Sequence, residues 1–239
     1  MTMATPGYWS GRARDEMARL LKFATDLPAE FDEIESHRDE KLTPDALNAA
    51  KVAMREATVS RIGQTARAAT EVAGTALTEA DKAADPYRPK YDADNVAQVT
   101  RTAQSWESII KPQLIAGKEW SEIIPTLDHD GLLAVGRFAE VNEMAKRTQL
   151  ERHEVPAVLA GLRELTDRRV IEIAPEGPAR DAMRELVDVR QLHSSIVRSA
   201  TALASVQGKR DVVGASVAVK RAAQDAGATP AAMQAAAAA

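Results

Sequence analysis

Between Pro44 and Pro86 the chain runs for about 40 residues without a proline. Helix-forming residues dominate this stretch, and only Gly63 and Gly74 interrupt them. Thr43 is a good N-cap and Pro44 suits the first helical position, where its missing N–H costs nothing. A helix of that length spans roughly 60 Å at 1.5 Å per residue, well beyond an ordinary globular helix. Its inward positions include Leu47, Met54, Ile62, Ala66, Ala69, Ala73 and Leu77. Many of them are small, so a covering helix could approach closely. A rod of this kind needs a partner along most of its length, from the same chain or from a second copy.

Helical period continues on both sides of the rod, and no period-2 strand competes with it. Upstream, Met17, Leu20, Leu21, Ala24 and Leu27 follow Ser10 at helical spacing. Pro28 is expected to end that helix, leaving a second short helix over about Ala29–Asp39. Downstream, the run from Asp85 to Tyr91 contains Pro86 and Pro89 and marks a corner. A helix from about Asp94 presents Val96, Val99, Ala103, Trp106, Ile109 and Ile110 on one face, and could return antiparallel along the rod until Pro112 kinks or ends it. A short helix holding Trp120, Ile123 and Ile124 stops at Pro125. Asp128 or Asp130 caps a helix whose Leu132, Leu133, Val135, Phe138, Val141 and Met144 surround most of its circumference, which reads as central. Pro156 opens the next helix, with Val158, Leu159, Leu162 and Leu165 inward, and Val170–Ile173 reads as helix in the absence of a strand partner. A last long helix covers about Ala179–Val206. A weak helix over about Asp211–Ala226 precedes a mobile alanine-rich end.

The expected fold is all-α: an elongated multi-helix bundle built on a long antiparallel helical hairpin, with a smaller helical C-terminal part. The segments are short helices over 1–42, the hairpin over 43–125, a bundle over 126–207 and a weakly ordered, basic, Ala-rich tail over 208–239. No repeat of solenoid length recurs.

The chemistry that the sequence excludes is as informative as its periodicity. With no cysteine among 239 residues, disulfides, thiolate metal sites and cysteine nucleophiles are all absent. His153-Glu154 opens like a zinc-protease motif, but Pro156 and Ala157 follow and the second histidine is missing. Asp128-His129-Asp130 offers metal-ligand atoms at a helix start, where capping is the simpler reading. His193 falls near the apolar face of the last long helix and reads as a core or interface histidine. The adjacent acid pairs Asp15-Glu16, Asp32-Glu33 and Asp39-Glu40 do not face one another on a helix. No glycine-rich phosphate loop, nucleophile elbow or inward Glu-x-x-His motif is present. Trp9-Ser10-Gly11 superficially resembles the Trp-x-Gly turn of small secreted helical-hairpin proteins, but it is expected to precede the first helix instead of joining two. No cofactor or metal is expected.

Partner contact is the remaining class. Net charge is −4, so whole-molecule attraction to nucleic acid is not expected. The charge is uneven, however: from Val189 onward there are six bases (Arg190, Arg198, Lys209, Arg210, Lys220, Arg221) and two acids (Asp211, Asp225). Amphipathic aromatics favour interfaces. The candidate partner-binding residues are therefore Tyr8, Trp9, Tyr87, Tyr91, Arg190, Arg198, Lys209 and Arg210. The expected partners are further copies of the chain or other assembly proteins. Nucleic acid is an alternative through the basic stretch, and no membrane is expected. The N-terminal segment has no apolar core of a secretion signal, and the longest near-apolar stretch, Val212–Val219, is too short to span a bilayer. The expected location is the cytoplasm or a virion. The expected function is non-enzymatic: a structural or assembly protein such as a phage or prophage virion or capsid-scaffolding component, or alternatively a helical adaptor or regulatory module that binds a protein or nucleic-acid partner.

Overall fold

A computed structural model of the chain describes residues 7–148 and 151–228. It is an all-α, multi-helix fold, with no strand among the described residues. Two compact units share the chain. One contains the residues up to Asp81 together with those from Asp188 onward, and the other is Lys82–Val187.

The first unit combines α1 (Tyr8–Ser36), α2 (Pro44–Ala84) up to Asp81, α8 (Pro178–Ala204) from Asp188, and α9 (Lys209–Asp225). In α1, Ala13, Met17, Leu20, Ala24, Leu27, Phe31 and Ile34 are buried at spacings of three and four, the pattern of a helix with one face in the core. Pro28 does not end it, contrary to the expectation of two short helices. A proline inside a helix removes the N–H that would bond the carbonyl four residues back. Here that carbonyl belongs to Ala24, and the Ser216 hydroxyl of α9 donates to it instead. The lost bond is replaced from a neighbouring helix, and the helix runs on to Ser36.

The rod forms as expected. The Thr43 side chain accepts from the Ala46 N–H at 3.3 Å, and α2 continues for 41 residues. Its small-residue stripe is covered: Ile62, Ala66, Ala69, Ala73, Ala76 and Ala80 are all buried. The earlier turns differ from expectation. No residue from 44 to 57 is buried; Leu47 is half-buried and Met54 is exposed. Leu77 is also only half-buried. Polar contacts fix α2 to α1: Thr58 donates to Glu30 at 2.8 Å, Arg61 pairs with Glu30, and the Lys51 ammonium donates to the Glu35 carbonyl at 2.6 Å.

Residues 209–225, expected to be a weak helix in a loosely ordered tail, form a 17-residue helix packed on α1. Its buried face is Val212, Ala215, Ser216, Val219, Ala222 and Ala223. Four of these side chains are alanine or serine, which hides the helix from a reading based on large apolar residues. The alanine run expected to be mobile lies outside the described residues.

The second unit contains α3 (Val96–Ser105), α4 (Lys111–Ile115), α5 (Trp120–Ile123), α6 (His129–Lys146) and α7 (Val155–Ile173). α3 packs on α6, and α6 on α7. α2 up to Asp81 and α3 belong to different units. A π turn, Trp106–Ile110, joins α3 to α4, its last bond running from the Lys111 N–H to the Trp106 carbonyl. Pro112 sits in the first turn of α4, just after it. Asp128 caps α6 through the Gly131 N–H at 2.9 Å. A side chain at position 131 would meet the Leu127 Cβ at 3.0 Å, a tight contact that favours glycine there. The first half of α6 is central as expected, with Leu132, Leu133, Ala134 and Val135 buried. Val141 and Met144, expected inward, are exposed, because the C-terminal half of α6 keeps one face in solvent. In α7 the buried residues are Val155, Leu162, Asp167 and Val170, while Val158, Leu159 and Leu165 are half-buried.

Candidate functional site

The aromatic residues singled out from sequence fall on both units. Tyr8 and Trp9 occupy the first turn of α1, where their rings meet edge to face at 4.8 Å and the Arg12 guanidinium lies 6.0 Å from the Trp9 ring. Tyr8 is exposed and Trp9 half-buried. Tyr87 is exposed at the end of a 3-10 turn. Tyr91 is half-buried with the Arg137 guanidinium 4.5 Å over its ring, a cation–π contact that holds it within its own unit.

Half of the basic stretch is engaged inside the first unit. Arg190 faces Asp81 at 3.9 Å, and Arg198 pairs with Asp225 at 3.4 Å. Lys209 meets Asp32 at 2.7 Å and Glu35 at 2.9 Å. The hydrogen bonds to Asp32 and Glu35 hold the Lys209 ammonium above the usual lysine range. Of the four bases proposed for partner contact, Arg210 is the one left without an ion pair among the described residues.

A polar cleft in the second unit was not foreseen from the sequence. It encloses about 270 Å³ beside Trp120, Glu143, Lys146 and Arg147. Glu143 is only 4% exposed. Its carboxylate accepts from the Trp120 indole at 2.9 Å, from the Asn142 amide at 3.3 Å and from Arg147, with the Lys146 ammonium 3.6 Å away. Burial pushes the Glu143 carboxyl up, but the Arg147 and Trp120 hydrogen bonds and the two cations outweigh it and hold the group below the usual glutamate range. A carboxylate kept ionised by so many donors is a poor proton acceptor for chemistry and a strong tie between α5 and the last turn of α6. The i,i+4 spacing of Glu143 and Arg147 is a signal that could have pointed to the pair. The contact from Trp120, 23 positions away, left no such signal. Behind the cleft, Trp106 stacks against Phe138 at 5.2 Å and approaches Trp120 at 6.4 Å.

A second feature is a surface. On α9, Arg210, Val213, Gly214, Val217, Arg221 and Gln224 recur at spacings of three and four, opposite the buried face. Val213 and Val217 are each 60% exposed. Neither acid of α9 belongs to this stripe: Asp211 accepts from the Gln207 N–H, and Asp225 pairs with Arg198. The helix thus carries apolar side chains on both faces, and the outer pair is bracketed by arginines.

Among the described residues no group of three or more metal-ligating side chains converges, and no helix is long and apolar enough to cross a membrane. No protein-family model, curated protein or solved structure matches the chain.

Proposed function

We propose that this chain is a non-enzymatic helical assembly protein whose partners dock on its helix surfaces. The observation that carries the reading is α9: its inner face is buried on α1, while its outer face presents Val213 and Val217 between Arg210 and Arg221. A helix that is apolar on two sides suits one with a neighbour on each. Polar groups of the kind that could do chemistry are bonded to one another around Glu143, which fits a structural role. A phage or prophage particle, or the scaffold of a capsid, is a setting in which such a protein would serve.

Light scattering across a concentration series tests the proposal. Concentration-dependent association, or co-assembly into a larger particle, is expected. A compact monomer at every concentration counts against it. The nucleic-acid adaptor is the weaker reading, because Arg190, Arg198 and Lys209 are already paired with acids. Phosphate contacts release counterions, so DNA binding that falls steeply with salt would favour it.

A further inference from the structure

A second surface on the first unit complements the outer face of α9. Between α1 and α2 lies a groove of about 310 Å³, lined by Glu30, Glu33, Ile34, Met54, Ala57 and Thr58. It opens at the early turns of α2, where no residue is buried, and Met54 is 38% exposed in its wall. The rim is acidic. Glu33 is exposed and makes no ion pair among the described residues, and Asp26 stands two turns earlier along α1 in the same condition. Glu30, between them, is taken by Thr58 and Arg61.

We infer that the α9 outer face of one copy docks into the α1–α2 groove of a second copy, Val213 and Val217 meeting Met54 and Ala57, with Arg210 and Arg221 beside Asp26 and Glu33. The inference rests on the assembly reading and names its partner. Charge decides between the two ways a copy could use this face. If two α9 helices paired antiparallel with each other, Arg210 of one would meet Arg221 of the other, and like charges so placed repel. Pairing α9 with the groove puts cations against carboxylates and apolar side chains against apolar side chains. Because the two surfaces differ, the pair keeps one of each free: the groove of one copy and the α9 face of the other. Such a head-to-tail contact adds further copies until a ring closes or a filament grows.

The test uses the full chain and two variants at exposed positions, Val217→Glu on the α9 face and Met54→Glu in the groove, each checked for unchanged helicity by circular dichroism. Sedimentation velocity is run up to about 1 mM, where even weak specific contacts populate the pair. Wild type is expected to associate with rising concentration and to dissociate as salt screens the rim charges. Each variant alone is expected to be monomeric. An equimolar mixture of the two should form dimers that do not extend, since one intact face meets one intact groove. Association that survives both substitutions overturns this interface and leaves the assembly reading standing. Monomeric variants whose mixture gives no dimer overturn the face-to-groove pairing. A wild type that stays monomeric to about 1 mM overturns the pairing and self-assembly together. If that monomer binds a random-sequence DNA duplex through Arg210 and Arg221, the face belongs to nucleic acid instead.

Discussion

The Ser216 hydroxyl donates to the Ala24 carbonyl, the group in α1 that Pro28 leaves without an N–H. The two residues are 192 positions apart. Both are buried, so the carbonyl has no water to turn to, and an unpaired buried acceptor costs about 1–3 kcal/mol. The same contact fixes the register of α9 on α1.

Ser216→Ala is accordingly expected to destabilise the protein by about 1–3 kcal/mol, the cost of the orphaned carbonyl. Pro28→Ala restores a backbone donor at the right position. In that background Ser216→Ala should cost markedly less, because the Ala24 carbonyl is already served. Urea unfolding of the four proteins measures the coupling, and additive costs would refute the explanation offered for the unbroken helix.

How far the fold was legible follows from such cases. The limits of α2 could be read because Thr43, Pro44 and the absence of proline up to Pro86 are local signals. The continuity of α1 through Pro28 could not, since it depends on a hydroxyl supplied from the far end of the chain. The packing of α9 was obscured for a related reason: its contacts are made by small side chains whose burial depends on a neighbour. In the Glu143 cleft, the i,i+4 spacing to Arg147 is a signal that the sequence reading passed over, whereas the indole donor from Trp120 required the fold. The basic stretch was identified correctly as basic, but the acids that engage Arg190, Arg198 and Lys209 come from other helices or from the far end of α9.

Along α2 the tolerance to larger side chains should change sharply. Ala73 is fully buried in the stripe, whereas Ala53 lies among the exposed early turns. Ala73→Leu is expected to cost roughly 1–3 kcal/mol through overpacking. Ala53→Leu should be within about 0.5 kcal/mol of neutral, as for other surface substitutions. Thermal unfolding of the two variants compares them directly, and equal effects would contradict a close-packed stripe confined to the later turns.

Glu143 makes stability depend on pH in the acid range. Its folded carboxyl titrates below the ordinary value, so its contribution is present above the unfolded glutamate pKa of about 4.3 and is lost as pH falls through the lower, folded one. Glu143→Gln should lower stability at neutral pH by roughly 1–3 kcal/mol, since the hydrogen bonds lost are charge-assisted. The gap between wild type and variant should close as pH drops below about 4. Denaturant titrations at neutral and acid pH measure it; a gap that widens toward acid would contradict the ionised carboxylate.

His193 acts in a separate window. Burial holds its imidazole below the usual histidine range. Below an unfolded pKa of about 6.5 the unfolded chain therefore takes up a proton that the folded chain resists, and stability falls as pH drops through that value. Replacing it by glutamine should flatten the dependence of Tm on pH between about 5 and 7 while leaving the Glu143 effect untouched. An unchanged slope would show that His193 is not the group responsible.

Arg88 and Asp167 give a case in which removing one partner and removing both should differ in kind. The Arg88 guanidinium donates to both Asp167 oxygens, at 3.2 and 3.4 Å, and ties the corner after α2 to α7. Asp167 is only 2% exposed. Breaking a buried pair from one side leaves a charge uncompensated at a cost of about 3–5 kcal/mol, whereas replacing both partners by apolar residues of similar volume is often close to neutral. Asp167→Leu alone is thus expected to be destabilising, by less than that full cost because Asp85 stays 3.7 Å from the Arg88 guanidinium. Adding Arg88→Met should recover most of the loss, because the desolvated cation goes with its partner. Chemical denaturation of the two single variants and the double variant completes the cycle. A double variant no more stable than the worse single would mean that the pair acts through contacts other than its mutual charge.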